Sequence, residues 1–253
     1  YEHAHDFCDV LVIGSGPAGI AAALEARSKN LNVILIEQDS IIGGNNLSKK
    51  NFDSEDINNQ LKSNGVRVMT RTTAFGVYDN TVVGAFERVT DHVAQPSEKL
   101  PRQRFWTIRA RHIILASGAL ERLVAFNNND IPGIMTVNAS RQYLNRYGVL
   151  TGKNIVIATN NDSVYETAKE LYEAGSKITI LDSRKKINID LPKGINHHLN
   201  TLPFNINGRK KIDSLDVCQS SDLNNKNTII CDQVLVSGGW SPNVHLTCHQ
   251  RGR

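Results

Sequence analysis

At 253 residues, 40% hydrophobic and 21% charged, the chain holds about one and a half to two domains' worth of sequence, enough for a real core. The net charge is +4, and the basic runs Arg184-Lys185-Lys186 and Arg209-Lys210-Lys211 carry no interleaved aromatics, which argues against a nucleic-acid partner. Cys8, Cys218, Cys231 and Cys248 form no CxxC pair, which argues against a zinc site and a redox-active disulfide; with no secretory h-region and no apolar run near ~18 residues in the sequence, a reducing, cytoplasmic setting is expected.

In chain order, His3 and His5 lie two apart in a short lead-in, with no third ligand nearby to make a metal site. The apolar run Val10–Ile13 then leads into Gly14-Ser15-Gly16-Pro17-Ala18-Gly19. Helix-forming residues follow from Ile20 to Ala26, and a second apolar run, Val33–Ile36, ends on Glu37. Strand, glycine turn, helix, strand and acid come in the order of a dinucleotide-binding fingerprint. Gly14 suits a tight turn, Gly16 suits the approach of a pyrophosphate, and Gly19 lets the helix lie close on the sheet. The helix start offers unpaired N–H groups and its positive dipole end to phosphates. Glu37, eighteen positions past Gly19, is placed to accept from an adenosine ribose and to repel a 2′-phosphate, which favours NAD or FAD over NADP. Gly43-Gly44-Asn45-Asn46 reads either as a loop over the ligand or as a plain turn.

Residues 53–64 read as a helix and Val66–Met69 as a third parallel strand. Thr72–Tyr78, Thr81–Arg88 and Gln103–Ala110 read as an antiparallel meander covering one face of the sheet, with turns at Asp79-Asn80 and around Gln95-Pro96. His112–Ala119 is a further strand ending in small residues, suited to a second close backbone approach to a ligand. Asn127–Gly133 marks the crossing into a second unit, where Ala139–Tyr147 reads as helical. Asn154–Ala158, Ser163–Ala174 and Lys177–Asp182 then repeat the strand–helix–strand pattern. Its turn, Thr159-Asn160-Asn161-Asp162-Ser163, has no glycine, so the architecture of a nucleotide domain recurs without its close-approach chemistry. Lys186–Asn227 is polar and Asn-rich and predicts no more than short strands; His197 and His198, being adjacent, would face opposite ways and share no metal. Asp232–Pro242 is a strand followed by glycines, expected to return to the first domain and border the same ligand.

The predicted fold class is α/β: a Rossmann-like FAD/NAD(P)-binding fold with an inserted antiparallel meander and a second, smaller Rossmann-like βαβ domain. The expected domains are 1–121 with 232–253, and a degenerate nucleotide-type domain over 122–231. Tyr1 opens the chain and Cys248–Arg253 closes it without an ending signal, so a piece of a longer protein is expected.

Several longer stretches carry a resemblance. They are Tyr1-Glu2-His3, Thr72–Gly76 with Tyr78-Asp79-Asn80, Phe86–His92, Pro101–Arg104, Phe126–Gly133, Tyr143–Gly148, Thr159–Ser163, and Ser237–Pro242 with Val244-His245-Leu246. On these the chain resembles the two-dinucleotide-domain flavoprotein reductases and, in detail, the family of alpha subunits of heterotetrameric sarcosine oxidase. The resemblance implies NAD in the first Rossmann-type site, where a reductase would hold FAD. By the family pattern Gly14, Gly16, Pro17, Ala18, Gly19, Glu37 and Gln38 would line that site, with Gly44 and Asn45 on the loop. Ala74 (adenine side), Ser117, Gly118 and Gly239 would complete it, although the segment between Gly44 and Arg71 is shorter here than in the family. The resemblance further implies oxidation of sarcosine to glycine with hydrogen peroxide formation, an FAD on a beta subunit, and FMN at the alpha–beta interface. It also implies gamma and delta subunits and one-carbon transfer to tetrahydrofolate on a domain outside this sequence. No catalytic residue and no metal ligand is assigned to this chain; its NAD is expected to be structural, and the chain alone inactive. The alternatives are an autonomous FAD-dependent NAD(P)H oxidoreductase, disfavoured by the missing CxxC and the glycine-free second turn, a subunit of a related amino-acid or opine dehydrogenase, and a degenerate fragment that binds nothing, disfavoured by the intact glycine turn and Glu37.

Overall fold

The computed structural model describes residues 1–250, in two compact units: Tyr1–Ala119 with the segment from Pro242 on, and Leu120–Ser241. The first unit runs β1 (Glu2–Ile13), α1 (Pro17–Ser28), β2 (Val33–Ile36), α2 (Ser54–Ser63), β3 (Arg67–Met69), β4 (Thr72–Tyr78), β5 (Val82–Arg88) and β6 (Gln103–Leu115). These strands form a six-stranded sheet in the order β3-β2-β1-β6-β5-β4. The first four are parallel and the β6-β5-β4 edge is antiparallel.

Alternation sorts the side chains of this sheet onto two faces. Val10, Val12, Val33 and Leu35 pack with Ile20 and Ala23 of α1 and Leu61 of α2. Leu11, Ile13, Ile34 and Ile36 pack on the other face with Ala74, Val77, Val83, Ala85 and Ile108 of the meander. The meander therefore both extends the sheet and covers one face of it. The start of α2 is fixed by Asp53, whose carboxylate accepts from the Glu55 and Asp56 N–H groups at 2.9 Å each.

Two features differ from the expectation. The lead-in segment is part of β1, which pairs with β6 from Glu2↔Arg104 to Ile13↔Leu115. The His3 ring stacks on Phe105 and Glu2 pairs with Arg104 at 2.6 Å, so cross-strand contacts hold the extension. The third meander strand and the apolar strand after it are one thirteen-residue element, β6, because no glycine or proline interrupts it and β1 pairs along nearly its whole length. Cys8 lies in this core, where burial pushes its thiol up to about 11.

The chain crosses at β7 (Ala119–Glu121) and continues through β8 (Ile134–Thr136), α3 (Val137–Tyr147), β9 (Asn154–Thr159), α4 (Val164–Glu173) and β10 (Lys177–Asp182). There follow β11 (Asn196–Leu199), β12 (Thr201–Gly208), β13 (Ile212–Gln219), β14 (Asp222–Ile230), β15 (Gln233–Ser237) and β16 (Trp240–Pro242), which pairs with β7. A parallel sheet in the order β11-β10-β9-β15-β8 is the centre of this unit. Ile155, Ile157, Ile178 and Ile180 pack with Tyr165, Ala168 and Leu171 of α4 on one face. Val156, Ala158, Val234 and Val236 pack on the other with Ile206, Leu215 and Val217 of the antiparallel sheet β12-β13-β14.

The second unit also departs from the expectation. Gln233–Ser237, expected with the first domain, is a strand of the second sheet between β9 and β8, fully buried along its length. The polar stretch 186–227, expected to hold only short strands, contains most of a three-stranded antiparallel meander with register shifts in both strand pairs. No helix among the described residues is long and apolar enough to cross a membrane.

Candidate functional site

β1 ends at Ile13, and Gly14 turns the chain with φ +102°. A Cβ there would lie 2.4 Å from the Ala116 carbonyl oxygen, and one on Gly19 would lie 1.9 Å from the Gly14 carbonyl oxygen. Both glycines are demanded by the chain's own backbone. Gly16 differs, since its backbone is ordinary (φ −66°, ψ 179°) and a Cβ on it would meet nothing within 4 Å. The fold does not need a glycine at this position. Space is open in front of it, where a pyrophosphate would approach.

Gly16 is also the N-cap of α1, with Pro17 opening the helix, no side-chain cap and no acidic residue in the first turn. By contrast α2 has its Asp53 cap, and α3 is capped by the Thr136 hydroxyl and by Glu121, which accepts from the Asn138 N–H at 2.8 Å. The uncapped first-turn N–H groups of α1, Ala18 and Gly19 among its residues, make the helix start a place for an anion.

Glu37 follows the end of β2 and is buried, 8% exposed. Its Oε2 accepts from the Ser15 N–H at 2.9 Å and from the Ser15 hydroxyl at 2.6 Å, and its Oε1 accepts from the Asp39 N–H at 2.9 Å. A carboxylate has about four acceptor positions, so about one remains open to a further donor. Gln38 is exposed beside it, with its carbonyl held by Arg88 Nη2 at 2.8 Å. The Gly43-Gly44-Asn45-Asn46 segment forms a 3-10 turn over Gly44–Ser48. It lies against the glycine turn, since the Gly43 N–H donates to the Ser15 carbonyl at 3.1 Å and a Cβ on Gly44 would lie 2.9 Å from the Gly16 Cα.

At the end of β6, Gly118 has φ +71° and open space around its Cβ position, while the Ser117 hydroxyl donates to the Asn243 carbonyl. The Ala74 methyl is packed in the core of the first unit. Gly239 lies in the second unit with φ +93°, its carbonyl accepting from the Arg122 N–H at 2.8 Å. Among the described residues no group of three or more His, Cys, Asp or Glu side chains is placed to hold a metal.

The corresponding turn of the second unit is filled by its own side chains. The Asn161 carboxamide oxygen accepts from the Ser163 N–H at 3.1 Å and its hydroxyl at 2.6 Å, while Asn161 Nδ2 donates to the Ser237 carbonyl at 3.2 Å. The Trp240 indole N–H donates to the Ser163 hydroxyl at 3.1 Å. Asp182, ending β10 much as Glu37 follows β2, is fully buried and accepts from the Tyr165 hydroxyl at 2.6 Å and from Arg184 Nη2 at 2.8 Å. Arg184 also bridges to Asp162 at 2.7 Å. Burial opposes the Asp182 charge, but the hydrogen bonds from Arg184 and Tyr165 outweigh it and hold the carboxyl below its ordinary range. Burial and Asp182 together push the Tyr165 phenol up. A pyrophosphate here would meet Asp162, and a ribose would find Asp182 already engaged.

Sequence reasoning singled out the glycines and Glu37 but missed Ser15 and the Tyr165–Asp182–Arg184 cluster. Asp182 had a signal, an acid ending the second strand of a βαβ pattern; Ser15 had none.

A family model described as pyridine nucleotide-disulphide oxidoreductase matches residues 8–252. The chain is 40% identical over 263 residues to the sarcosine oxidase subunit alpha of Rhizobium meliloti (strain 1021), covering all of this chain and 26% of that protein. It is 34% identical over 273 residues to the sarcosine oxidase subunit alpha of Corynebacterium sp. (strain U-96), again over all of this chain and over 28% of that protein. The chain thus spans about a quarter of the length of these relatives. Among solved structures, L-proline dehydrogenase from P. horikoshii superposes with a TM-score of 0.69 at 23% identity, over 98% of this chain and 45% of that one, a likeness of fold.

Proposed function

Since this chain belongs to the pyridine nucleotide-disulphide oxidoreductase family, we propose that its first unit is a dinucleotide site that holds NAD, within the alpha subunit of a multisubunit sarcosine oxidase. The observation that carries the reading is Gly16, a glycine the fold does not require, facing open space at an uncapped helix start. Gly14, Gly16, Pro17, Ala18 and Gly19 would present backbone to the pyrophosphate, and Glu37 with Gln38 would take the adenosine ribose. Gly44 and Asn45 would lie over the ligand, Ala74 on the adenine side, and Ser117 with Gly118 across from the turn. A 2′-phosphate on the ribose would bring a second anion against the buried Glu37 carboxylate.

NAD and FAD share the adenosine ribose and pyrophosphate, so the choice of NAD rests on the likeness to sarcosine oxidase alpha subunits. Bound NAD would offer a nicotinamide able to accept a hydride; in this reading the chain's residues hold and shield the dinucleotide. Sarcosine oxidation, peroxide formation and one-carbon transfer to tetrahydrofolate are assigned to other parts of the assembly, with beta, gamma and delta subunits as partners. The second reading, an FAD-dependent NAD(P)H reductase, is disfavoured by the side chains filling the second turn.

The test is Gly16→Ala. A methyl there has room in the protein but none beside a pyrophosphate, so the variant should fold with the melting temperature of ligand-free wild type. Its bound dinucleotide, quantified after denaturation, should fall at least about tenfold. Full retention of the ligand would overturn the assignment.

A further inference from the structure

We propose that Ser15 is the positioning residue of this site: it orients Glu37 toward the adenosine ribose and fastens the Gly43–Gly44 loop onto the glycine turn. The proposal rests on the dinucleotide reading above and assigns a role to a residue that lies between Gly14, which the backbone demands, and Gly16, which faces open space. Ser15 is fully buried, and its polar functions are all engaged on two elements. Its hydroxyl donates to Glu37 Oε2 at 2.6 Å and accepts from the Gly43 N–H at 3.2 Å. Its own N–H donates to the same Oε2 at 2.9 Å, and its carbonyl accepts from the same Gly43 N–H at 3.1 Å.

The consequence for recognition follows from counting acceptor positions. Two donors on Oε2 and the Asp39 N–H on Oε1 leave about one free position on the carboxylate. Because the carboxylate is tethered from both oxygens, that position has a fixed direction and can be matched to one ribose hydroxyl without reorganising on binding. Alanine at position 15 would remove the charge-assisted hydroxyl bond, leave Oε2 with a single tether, and deprive the Gly43 N–H of one of its two acceptors. The loop would loosen where it is closest to Gly16. Discrimination at the ribose should therefore be lost, beyond any general loss of stability.

The experiment titrates ADP and 2′-deoxy-ADP, which carry the half common to NAD and FAD, into the cofactor-stripped full chain and its variants. Wild type should bind ADP about tenfold more tightly than 2′-deoxy-ADP. Ser15→Ala should bring that ratio below about threefold with affinity for 2′-deoxy-ADP little changed. Glu37→Gln should lower the ratio similarly, and the double variant should lower it no further, since both act through one hydrogen bond. If Ser15→Ala does not fold, Ser15→Cys, similar in size but a weaker donor, should give an intermediate ratio. An unchanged ratio in the Ser15 variants, or equal losses for both nucleotides, overturns the positioning role. A wild-type ratio near one overturns it while leaving the dinucleotide reading in place; binding of neither nucleotide overturns both.

Discussion

A Cβ built on Gly19 would lie 1.9 Å from the Gly14 carbonyl oxygen, whereas one built on Gly16 meets nothing within 4 Å. The two glycines of the motif are therefore not alike: close helix–strand packing demands the first, and nothing within the chain demands the second. Gly19→Ala should destabilise the protein by about 3 kcal/mol with or without ligand, because the clash is with backbone that cannot rotate away. Chemical denaturation of ligand-free protein measures this directly. The same experiment on Gly16→Ala should show almost no change, and a large loss there would mean that the open space is not real. Glu37 and Ser15 add the other half of the site at this scale, a buried anion whose bonds within the chain leave room for a single further donor.

Among the elements, the two βαβ units are alike in backbone and opposite in chemistry. α1 begins at an uncapped glycine, whereas the turn before α4 is bound up by Asn161, Ser163 and Trp240, with Arg184 joining Asp162 to Asp182. The Asp182 carboxyl is held below its unfolded value, so its contribution to stability is full above the unfolded pKa of about 3.9 and is lost as the pH falls through the folded value. Arg184→Met removes the main support of that depressed value. The variant should be less stable by about 2 kcal/mol at pH 7 and should lose less further stability between about pH 4 and pH 2 than wild type does. Urea titrations across that range check both; an acid limb as steep as wild type would assign the acid sensitivity to other carboxylates.

The elements also show what the chain discloses locally. The first βαβ unit was legible because strand, turn, helix and acid fall within one short stretch, each marked by its own residue type. The β12–β14 sheet was not, because its inward residues, Ile206, Leu215 and Val217 among them, are spread among Asn, Asp and Lys that face outward. Val234, Leu235 and Val236 announce a strand buried on both faces, but such a run fits either sheet, and only the pairing with β9 and β8 decides. The Ser15–Glu37 bond was invisible for another reason. It joins residues 22 apart through side chains, which no local pattern encodes.

For the whole molecule, the first unit offers one open glycine turn with its acid, and the second unit fills the equivalent place with its own side chains. Membership in the pyridine nucleotide-disulphide oxidoreductase family and likeness to sarcosine oxidase alpha subunits set the frame in which that asymmetry has meaning. A reductase of two nucleotides would need both places, whereas a chain that holds one dinucleotide within a larger oxidase needs the first alone. The most direct measurement is native mass spectrometry of the purified full chain, followed by identification of any ligand released on denaturation. One bound NAD per chain and no flavin is the expected result. FAD in the first site, two dinucleotides per chain, or an empty protein would contradict it.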